Sequence, residues 1–406
     1  MARPVRPRRA GRQVVPLSAM SGEKFVGGNR ITLLKNGGEF FPALAAAIDS
    51  AKIDVRIETY IFHDDASGRA IAAALMRAVQ RGVPVYLLVD GFGSRDTPAH
   101  FFAAMASAGV MLQVYRPDPR LRTFRKSQLR RVHRKIALID GRVGFVGGIN
   151  LIGDLSEALS DTEPRYDYAV QIEGPLLAEI YPLVQWLWRL LQWWKARAHV
   201  ARLPVPPVSP LAVGNMSAAV IARDNFRHRR DIERAYLGAM AGATQNILIV
   251  SSYFLPGRQV RRALTDAAAR GIKVTLLLQG RADHPLMQMA TRALYTQLLC
   301  ADVEIYEYEI AMLHAKVAVV DDIWATVGSS NLDPFSLLLN REVNIVVADR
   351  AFATTLRTSV MQEIARGATK LDTADWQKRS WWHRVKTWLA YGFTRLMAGW
   401  AGLKDD

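Results

Sequence analysis

The sequence predicts an α/β fold of two similar lobes, each with a mixed, mostly parallel sheet flanked by helices. Residues 71–91 (IAAALMRAVQRGVPVYLLVDG) and 260–280 (VRRALTDAAARGIKVTLLLQG) share one order: an amphipathic helix, an Arg-Gly stop and an apolar strand. Continuous apolar strands suit a sheet that is covered on both faces, and glycine suits the turn that ends a helix. Because this unit occurs twice, we expect a bilobal molecule with a pseudo-twofold axis.

The two halves repeat the same order of elements along the chain. Residues 38–62 and 229–255 each predict a helix followed by a strand, and later strands end at 113–117 and 303–308. Between the halves, ARLPVPPVSP (201–210) carries four prolines and predicts a semi-rigid linker. We therefore predict five segments: a basic disordered tail (1–28), a first lobe (29–200), a linker (201–215), a second lobe (216–370) and an amphipathic, Trp-rich C-terminal segment (371–406).

Composition limits the class of protein. Half of the 406 residues are hydrophobic, which excludes global disorder. The single cysteine, Cys300, excludes an internal disulfide and a Cys-based zinc cluster, and it fits a reducing compartment. Lys and Arg number 53 against 37 Asp and Glu, so the formal net charge is +16. This charge indicates an anionic partner, either nucleic acid or an acidic lipid surface.

Several basic or aromatic stretches allow two interpretations. The Arg-rich start (1–12) lacks a following apolar region, so it predicts a solvated tail or a polybasic arm rather than a secretory signal. The Trp-rich stretch 176–194 contains Glu179 and Arg189 and should not span a membrane; it predicts a core helix, or alternatively a lipid-facing one. Residues 380–406 predict either an interfacial helix or a helix docked on the protein itself. The basic stretch 116–131 predicts a solvated loop or an apron that faces headgroups.

One motif occurs twice, at corresponding places in the two halves. VHRKIALIDGRVGFVGGINL (132–151) and LHAKVAVVDDIWATVGSSNL (313–332) both contain His, Lys at +2, Asp at +7, Gly at +14 and Asn at +17. Such a double match makes coincidence a poor explanation. The candidate catalytic residues are His133, Lys135, Asp140, His314, Lys316 and Asp321, and the candidate phosphate-binding residues are Asn150 and Asn331.

The spacing assigns different tasks to these residues. Side chains alternate along a strand, so His and Lys two residues apart share a face. Asp at +7 is an odd number of residues from His, so its side chain should point to the other face, and it should follow a turn. Both features favour a structural or orienting carboxylate. Asn at +17 lies in a turn that can return an amide donor to the site.

Two facing copies would gather lysines and amides around one tetrahedral anion. Lysine is a suitable point-charge ligand for phosphate. One neutral histidine could attack phosphorus while the other, protonated, gives a proton to the leaving alkoxide. A carboxylate should orient each imidazole, and Asp167 and Glu342, which follow the two motifs, are the candidates; ordinary strand charge is the alternative. Two recurring histidines, no accompanying cysteine and two nearby lysines make a metal site a poor interpretation, so none is predicted.

The doubled signature resembles that of the phospholipase D superfamily, His-x-Lys-(x)₄-Asp-(x)₆-Gly-x-x-Asn. The second copy matches in full, and the first departs only at Gly148, where a serine is common. The resemblance extends over residues 29–365 and is greatest to bacterial cardiolipin synthases of the B type. It implies two phospholipase D-like lobes and a phosphohistidine on His133, with His314 protonating the departing glycerol and deprotonating the incoming alcohol.

The resemblance also implies substrates and partners. Phosphatidylglycerol would be the donor, a second phosphatidylglycerol the acceptor, and cardiolipin and glycerol the products, without cofactor or metal. The expected partners are this phospholipid and an anionic membrane surface, but not nucleic acid. We expect a peripheral protein at the cytoplasmic face of the inner membrane. One chain supplies both half-sites, which leaves the oligomeric state open.

Three rival functions use the same residues differently. A nuclease would also account for the +16 charge, but small nucleases of the superfamily carry one motif per chain. A phospholipase would use water as the acceptor and release phosphatidic acid, and the sequence separates it poorly from a transferase. A non-catalytic scaffold would have a degraded motif, whereas both copies here are intact.

Overall fold

The computed structural model describes residues 23–117, 130–155, 164–196, 204–224, 228–281 and 284–402. Most of the predicted basic tail, most of the basic stretch 116–131 and the first residues of the linker (201–203) lie outside these ranges.

The strands of both halves are numbered here in chain order. They are β1 (Val26–Lys35), β2 (Val55–Thr59), β3 (Val85–Asp90), β4 (Met111–Tyr115), β5 (Ile136–Ile139), β6 (Val143–Gly147), β7 (Tyr168–Glu173), β8 (Met216–Arg223), β9 (Asn246–Ser251), β10 (Lys273–Gln279), β11 (Glu304–Tyr308), β12 (Lys316–Val320), β13 (Trp324–Gly328), β14 (Glu342–Ala348) and β15 (Ala368–Lys370).

Helices connect and cover these strands. They are α1 (Asn36–Asp49), α2 (Ala66–Gln80), α3 (Ala99–Ser107), α4 (Leu177–Ala196), α5 (Asp231–Gly242), α6 (Arg258–Ala269), α7 (Pro285–Arg292), α8 (Tyr295–Leu299), α9 (Pro334–Leu338), α10 (Arg350–Gly367), α11 (Thr373–Gln377) and α12 (Trp381–Gly402).

The strands form one continuous sheet with an internal duplication. Its order is β15-β11-β10-β9-β12-β13-β14-β8-β1-β7-β6-β5-β2-β3-β4. Outward from the central β8–β1 pair, the order is the same on both sides, and β15 is an additional edge strand. Strands β1 and β8 pair antiparallel, with a register shift between Val26 and Asn29. The prediction of two similar α/β lobes is confirmed, and a single sheet joins them.

The predicted mixed character of the sheets is confirmed, but the prediction that they are mostly parallel is wrong. Among the strands given above, only β2–β3, β3–β4, β9–β10 and β10–β11 pair in parallel. The other ten pairings are antiparallel. Parallel pairs need a long crossover, which helices α2, α3 and α6 and the α7–α8 connection provide. The motif strands β5 and β6 are joined by only three residues, and so short a connection permits only an antiparallel hairpin.

The central core contains residues of both lobes. Ile172 and Tyr168 of the first lobe pack in the same cluster as Val250 and Leu356 of the second. The Tyr168 hydroxyl hydrogen-bonds Ser359 Oγ at 2.6 Å, a link from β7 to α10. Because packed interiors deform little, this shared core holds the two lobes in a fixed relation.

The two Trp-rich stretches are both helical, and neither is wholly buried. In α4, Trp188 is buried, whereas Trp186 and Trp193 are 44% and 56% exposed. The C-terminal helix α12 packs on α7. Its docking face consists of small residues, which are Thr387, Ala390, Thr394 and Ala398. Its outer face exposes large apolar residues, which are Trp381, Trp382, Val385, Trp388, Leu389, Phe393 and Leu396. No helix in the described ranges has the length and hydropathy needed to cross a bilayer.

Candidate active site

Both motif histidines lie at the seam between the lobes, just before strands β5 and β12. The backbone N–H of His133 donates to the carbonyl of Arg341 at 3.0 Å, and that of His314 donates to the carbonyl of Tyr166 at 2.8 Å. Isolated bridges at Val132–Arg341 and Tyr166–Leu313 accompany these bonds. The backbone of each lobe therefore positions the histidine of the other lobe.

The orienting carboxylates also cross the seam. His133 Nδ1 lies 3.0 Å from Glu342 Oε2, and His314 Nδ1 lies 2.6 Å from Asp167 Oδ2. Each carboxylate follows the motif of its own lobe in sequence but holds the imidazole of the other lobe. With Nδ1 engaged in this way, Nε2 is the ring nitrogen of each histidine that remains for a substrate.

The two histidine–carboxylate pairs differ electrostatically. Burial favours neutral Glu342, but His133, Lys135 and Ser329 outweigh it and hold the Glu342 pKa below its usual value. Burial raises the pKa of Asp167 to about 7, although Lys316 opposes this. Burial lowers the pKa of both imidazoles; Lys316 and Lys135 lower that of His314 further, whereas Glu342 partly restores that of His133. His133 thus faces the more fully ionised carboxylate.

The motif lysines are buried beside their histidines. Lys135 Nζ donates to the carbonyl of His133 at 2.8 Å. Lys316 Nζ donates to the carbonyl of His314 and, at 3.1 Å, to Ser252 Oγ. Burial lowers the pKa of Lys135 to about 7, and the charge of Lys316 contributes across the seam. Glu342, Asp167 and Asp90 partly offset these two effects on Lys135. A bound phosphate would add negative charge beside the two lysines and favour their protonated forms.

The motif asparagines lie on the turns that follow β6 and β13. The side-chain oxygen of Asn150 accepts from the N–H of Ile61 at 3.2 Å, and that of Asn331 accepts from Tyr253 at 3.5 Å. These contacts orient each amide through its oxygen, so that the NH₂ group is the donor left for a ligand.

Asp140 and Asp321, which the sequence analysis groups with the catalytic residues, bind backbone groups away from the histidines. Asp140 accepts from the backbone N–H groups of residues 52–54 at 2.7–3.0 Å. Asp321 accepts from those of residues 244–246 at 2.7–2.9 Å. Both lie past the far ends of β5 and β12, whereas the histidines precede these strands. A structural role, which their odd spacing from the histidines predicted, therefore fits Asp140 and Asp321 better than a catalytic role.

The departure of the first motif at Gly148 has a steric cause. A Cβ at Gly148 would lie 2.2 Å from Asp167 Oδ1. At the corresponding place in the second motif, Ser329 Oγ donates to Glu342 Oε2 at 2.6 Å. Sequence reasoning noted the difference but not the orienting role of Ser329, because the pairing of each motif with its carboxylate requires the fold.

Sequence reasoning also missed a buried polar layer around His133. Arg134 forms an ion pair with Glu58 at 2.7 Å, and both side chains are buried. The Tyr60 ring packs edge-on to the His133 ring, with the centroids 4.9 Å apart. Arg341, beside His133 in the seam, is also buried. The equivalent positions of the other lobe carry different residue types, so the sequence repeat gave no signal for these residues.

The described residues contain no group of three His, Cys, Asp or Glu side chains placed to hold a metal ion. What they bring together is two imidazoles, two lysines and two amides at one seam, each imidazole with a carboxylate behind it. This set can bind a phosphate, attack it from one side and protonate the opposite leaving group.

Comparisons with known proteins show which family the sequence resembles. A family model described as "Cardiolipin synthase, PLD-like domain" matches residues 44–181 and 236–364. Cardiolipin synthase B of Salmonella typhi is 42% identical over 382 residues, which cover 92% of this chain and 90% of that protein. Its counterpart in Escherichia coli (strain K12) is 39% identical over 380 residues, with the same coverage. Cardiolipin synthase A of Pseudomonas putida (strain GB-1) is 32% identical over 352 residues, which cover 86% of this chain and 71% of that protein.

The fold has a relative among solved structures. The crystal structure of phosphatidylserine synthase from Haemophilus influenzae Rd KW20 superposes with a TM-score of 0.67, covering 94% of this chain and 97% of that one. The sequence identity is 13%, so the likeness concerns the fold.

Proposed function

The chain belongs to the cardiolipin synthases of the phospholipase D-like family, and we propose that it transfers a phosphatidyl group from one phosphatidylglycerol to the hydroxyl of another. One observation carries the proposed mechanism: each lobe holds the other's histidine through a carboxylate, at 3.0 Å and 2.6 Å, beside two buried lysines. A site of this kind is complete only when both lobes act on one phosphate.

In the first step, Nε2 of His133 attacks the phosphorus of the donor, and the bond from phosphorus to the headgroup glycerol breaks. His314 gives its proton to the departing glycerol oxygen. The ionised Glu342 supports the positive charge that develops on a phosphorylated His133. The anionic donor raises the pKa of His314, so that the proton is available when the substrate is bound.

In the second step, the terminal hydroxyl of the acceptor attacks the phosphohistidine. His314 takes the hydroxyl proton, the bond from phosphorus to His133 breaks, and cardiolipin leaves. Lys135, Lys316, Asn150 and Asn331 stabilise the charge on the equatorial oxygens in both steps. Protons and charges balance among these residues and the two lipids.

The membrane contact that we propose is peripheral and involves α12. The outer face of this helix combines exposed tryptophan and leucine with Arg384, Lys386 and Arg395, which are also exposed. Tryptophan favours the membrane interface and basic residues favour anionic headgroups. Assignment to the cytoplasmic face remains a prediction from the single cysteine.

Product analysis by mass spectrometry tests the proposed function. Purified protein is incubated with phosphatidylglycerol, with no metal or nucleotide added, alongside His133→Ala and His314→Ala. We expect cardiolipin and glycerol from the unaltered protein and neither product from the variants. Phosphatidic acid alone would identify a hydrolase, and appreciable turnover by either variant would contradict the two-histidine mechanism.

A further inference from the structure

The two sides of the seam differ at one pair of equivalent positions, Tyr60 and Ser252. Each residue directly precedes the backbone N–H group that donates to a motif asparagine, Asn150 in the first lobe and Asn331 in the second. The pseudo-twofold axis therefore relates the two positions, although one carries a phenol ring and the other a small hydroxyl group. The seam is thus unequal beside its two histidines.

On the first side, the Tyr60 ring covers the motif histidine and lysine. Its centroid lies 4.9 Å from that of the His133 ring, and Lys135 Nζ lies 5.4 Å from the same centroid. A ring in contact with both groups leaves little room beside His133 for a polar substituent of the substrate.

On the second side, a narrow polar pocket opens beside Ser252. Ser252 Oγ accepts from Lys316 Nζ at 3.1 Å, so the pocket begins at the motif lysine. Lys316 in turn donates to the carbonyl of His314. Because the Ser252 oxygen accepts from Lys316, the hydrogen of this hydroxyl group remains to be donated to a ligand.

One face of α7 forms the opposite wall of this pocket. His284, Gln288 and Thr291 line it, and their spacing of four and then three residues places them on the same side of a helix. Gln288 donates through Nε2 to the carbonyl of Gly280, which leaves its side-chain oxygen as an acceptor. The pocket therefore offers a hydroxyl donor from Ser252 and an amide acceptor from Gln288. A ligand with several hydroxyl groups can use both, because each hydroxyl donates and accepts.

The proposed reaction brings glycerol to this side of the seam. In a displacement at phosphorus, the attacking and leaving groups lie roughly in line. Because His133 attacks and His314 protonates the leaving oxygen, the headgroup glycerol of the donor lies on the His314 side. In the second step, the acceptor hydroxyl attacks from the place that this glycerol has left. One pocket can therefore serve the glycerol of the donor and that of the acceptor in turn.

We propose that the pocket between Ser252 and α7 recognises the headgroup glycerol through the hydroxyl groups that are not bonded to phosphorus. This inference rests on the proposed function and adds to it the site that selects glycerol. A neutral polyol suits a pocket that begins at Lys316, whereas an ammonium headgroup would be repelled by the lysine charge.

Competition between two soluble alcohols tests the assignment. The protein is given phosphatidylglycerol in detergent micelles together with deuterated glycerol and methanol, which is too small to need the pocket. Deuterated phosphatidylglycerol and phosphatidylmethanol are quantified by mass spectrometry from the same tube, before released glycerol accumulates. Because both products arise from the same phosphohistidine, their ratio reports the contacts of the alcohol alone. The variants are Gln288→Leu and Ser252→Tyr, and the matched control is Gln297→Leu, which changes an exposed glutamine of α8.

We expect Gln288→Leu to lower the ratio of deuterated phosphatidylglycerol to phosphatidylmethanol about three- to tenfold, the worth of one hydrogen bond to a substrate hydroxyl. Ser252→Tyr should lower the ratio further, because it places in the pocket the ring that Tyr60 places beside His133. Gln297→Leu should leave the ratio unchanged.

Other outcomes overturn the inference. An unchanged ratio in Gln288→Leu or in Ser252→Tyr would show that the pocket does not select glycerol. Equal loss of both products leaves the ratio unchanged and has the same meaning, since the residue would then support the fold or position Lys316. A similar fall of the ratio in Gln297→Leu would remove the link to the pocket. Absence of cardiolipin and of both alcohol products from the unaltered protein would instead contradict the proposed function, independently of the pocket.

Discussion

Asp167 of the first lobe holds His314 of the second, with Oδ2 2.6 Å from Nδ1. The mirror contact joins Glu342 of the second lobe to His133 of the first at 3.0 Å. Because each imidazole depends on a carboxylate from the other lobe, neither half of the duplicated chain contains a complete catalytic unit. The continuous sheet and the shared core make this exchange possible, since they hold the two sides of the seam in register.

The first prediction concerns the orienting carboxylate. Asp167→Asn should lower turnover about 10²–10⁴-fold, because the amide neither supports an imidazolium nor selects the same tautomer. The measurement is steady-state cardiolipin formation, together with the unfolding temperature. The matched control is Asp231→Asn on the surface, where Asp231 Oδ2 lies 2.6 Å from His228 Nδ1, outside the seam. Comparable losses in both variants would show that the effect is not specific to the seam.

The second prediction separates the roles of the two histidines. A phosphodiester with a nitrophenolate leaving group needs no proton to depart. With this substrate, His314→Ala should release about one equivalent of nitrophenolate in a burst and accumulate the phosphohistidine. The reason is that this variant lacks only the general acid, which this leaving group does not need. His133→Ala should give no burst. A burst from His133→Ala and none from His314→Ala would reverse the assignment.

The third prediction is a pH dependence set by Lys135, whose pKa burial lowers to about 7. In the free enzyme, kcat/KM should fall as the pH rises above about 7, because the neutral amine no longer attracts phosphate. Lys135→Arg keeps its charge, so this limb should move to higher pH even if the maximum is lower. If kcat/KM of Lys135→Arg falls at the same pH as in the unaltered protein, a group other than Lys135 causes the fall.

The lowered pKa of Lys135 also predicts how the unfolding free energy depends on pH. The unfolded chain holds this proton up to its ordinary pKa of 10.5, whereas the native state releases it near 7. Above about 7 the unfolded state binds more protons, so the native state gains stability as the pH rises towards 10.5. Below 7 the full cost of burying the charge applies. Relative to Lys135→Met, the unfolding free energy should therefore increase through this window, and a constant difference would contradict the shift.

How far the sequence predicts this molecule depends on the range of the interaction. The repeated helix–strand units and the doubled motif are local patterns, and both lobes and the grouping of the two histidines follow from them. Long-range pairing is not local: apolar strands read alike whether their neighbours are parallel or antiparallel, so the prediction of mostly parallel sheets is wrong. For the same reason, the sequence supplies Asp167 and Glu342 as candidates but not their exchange across the seam.

A further prediction tests the structural role of Asp140. Its carboxylate accepts three backbone N–H groups, and its backbone has a φ of +56°. Asp140→Ala should lower the unfolding free energy by about 2–4 kcal/mol, because buried donors lose their acceptor and alanine disfavours this conformation. Asp140→Asn should lose less, since asparagine keeps one acceptor and tolerates positive φ. Turnover per folded molecule should remain near normal in both. A large loss of turnover without loss of stability would restore Asp140 to the catalytic set.

The last prediction concerns the outer face of α12. Replacing Trp381, Trp388, Leu389 and Leu396 with alanine removes apolar surface that is 53–72% exposed, without touching the small-residue face that packs on α7. Binding to phosphatidylglycerol vesicles, measured by co-sedimentation, should weaken at least about tenfold, because each large apolar side chain that enters the interface contributes a sizeable part of its transfer free energy. The control replaces four other exposed apolar residues, which are Ile53, Met111, Leu211 and Val213.

Activity in detergent micelles separates anchoring from catalysis. The α12 variant should retain its turnover there while losing it on vesicles, since the seam residues and the α7 contact are unchanged. Equal vesicle binding by the variant and the control would show that α12 does not contact the membrane. Loss of activity in micelles as well would mean that the outer face supports the fold of the second lobe.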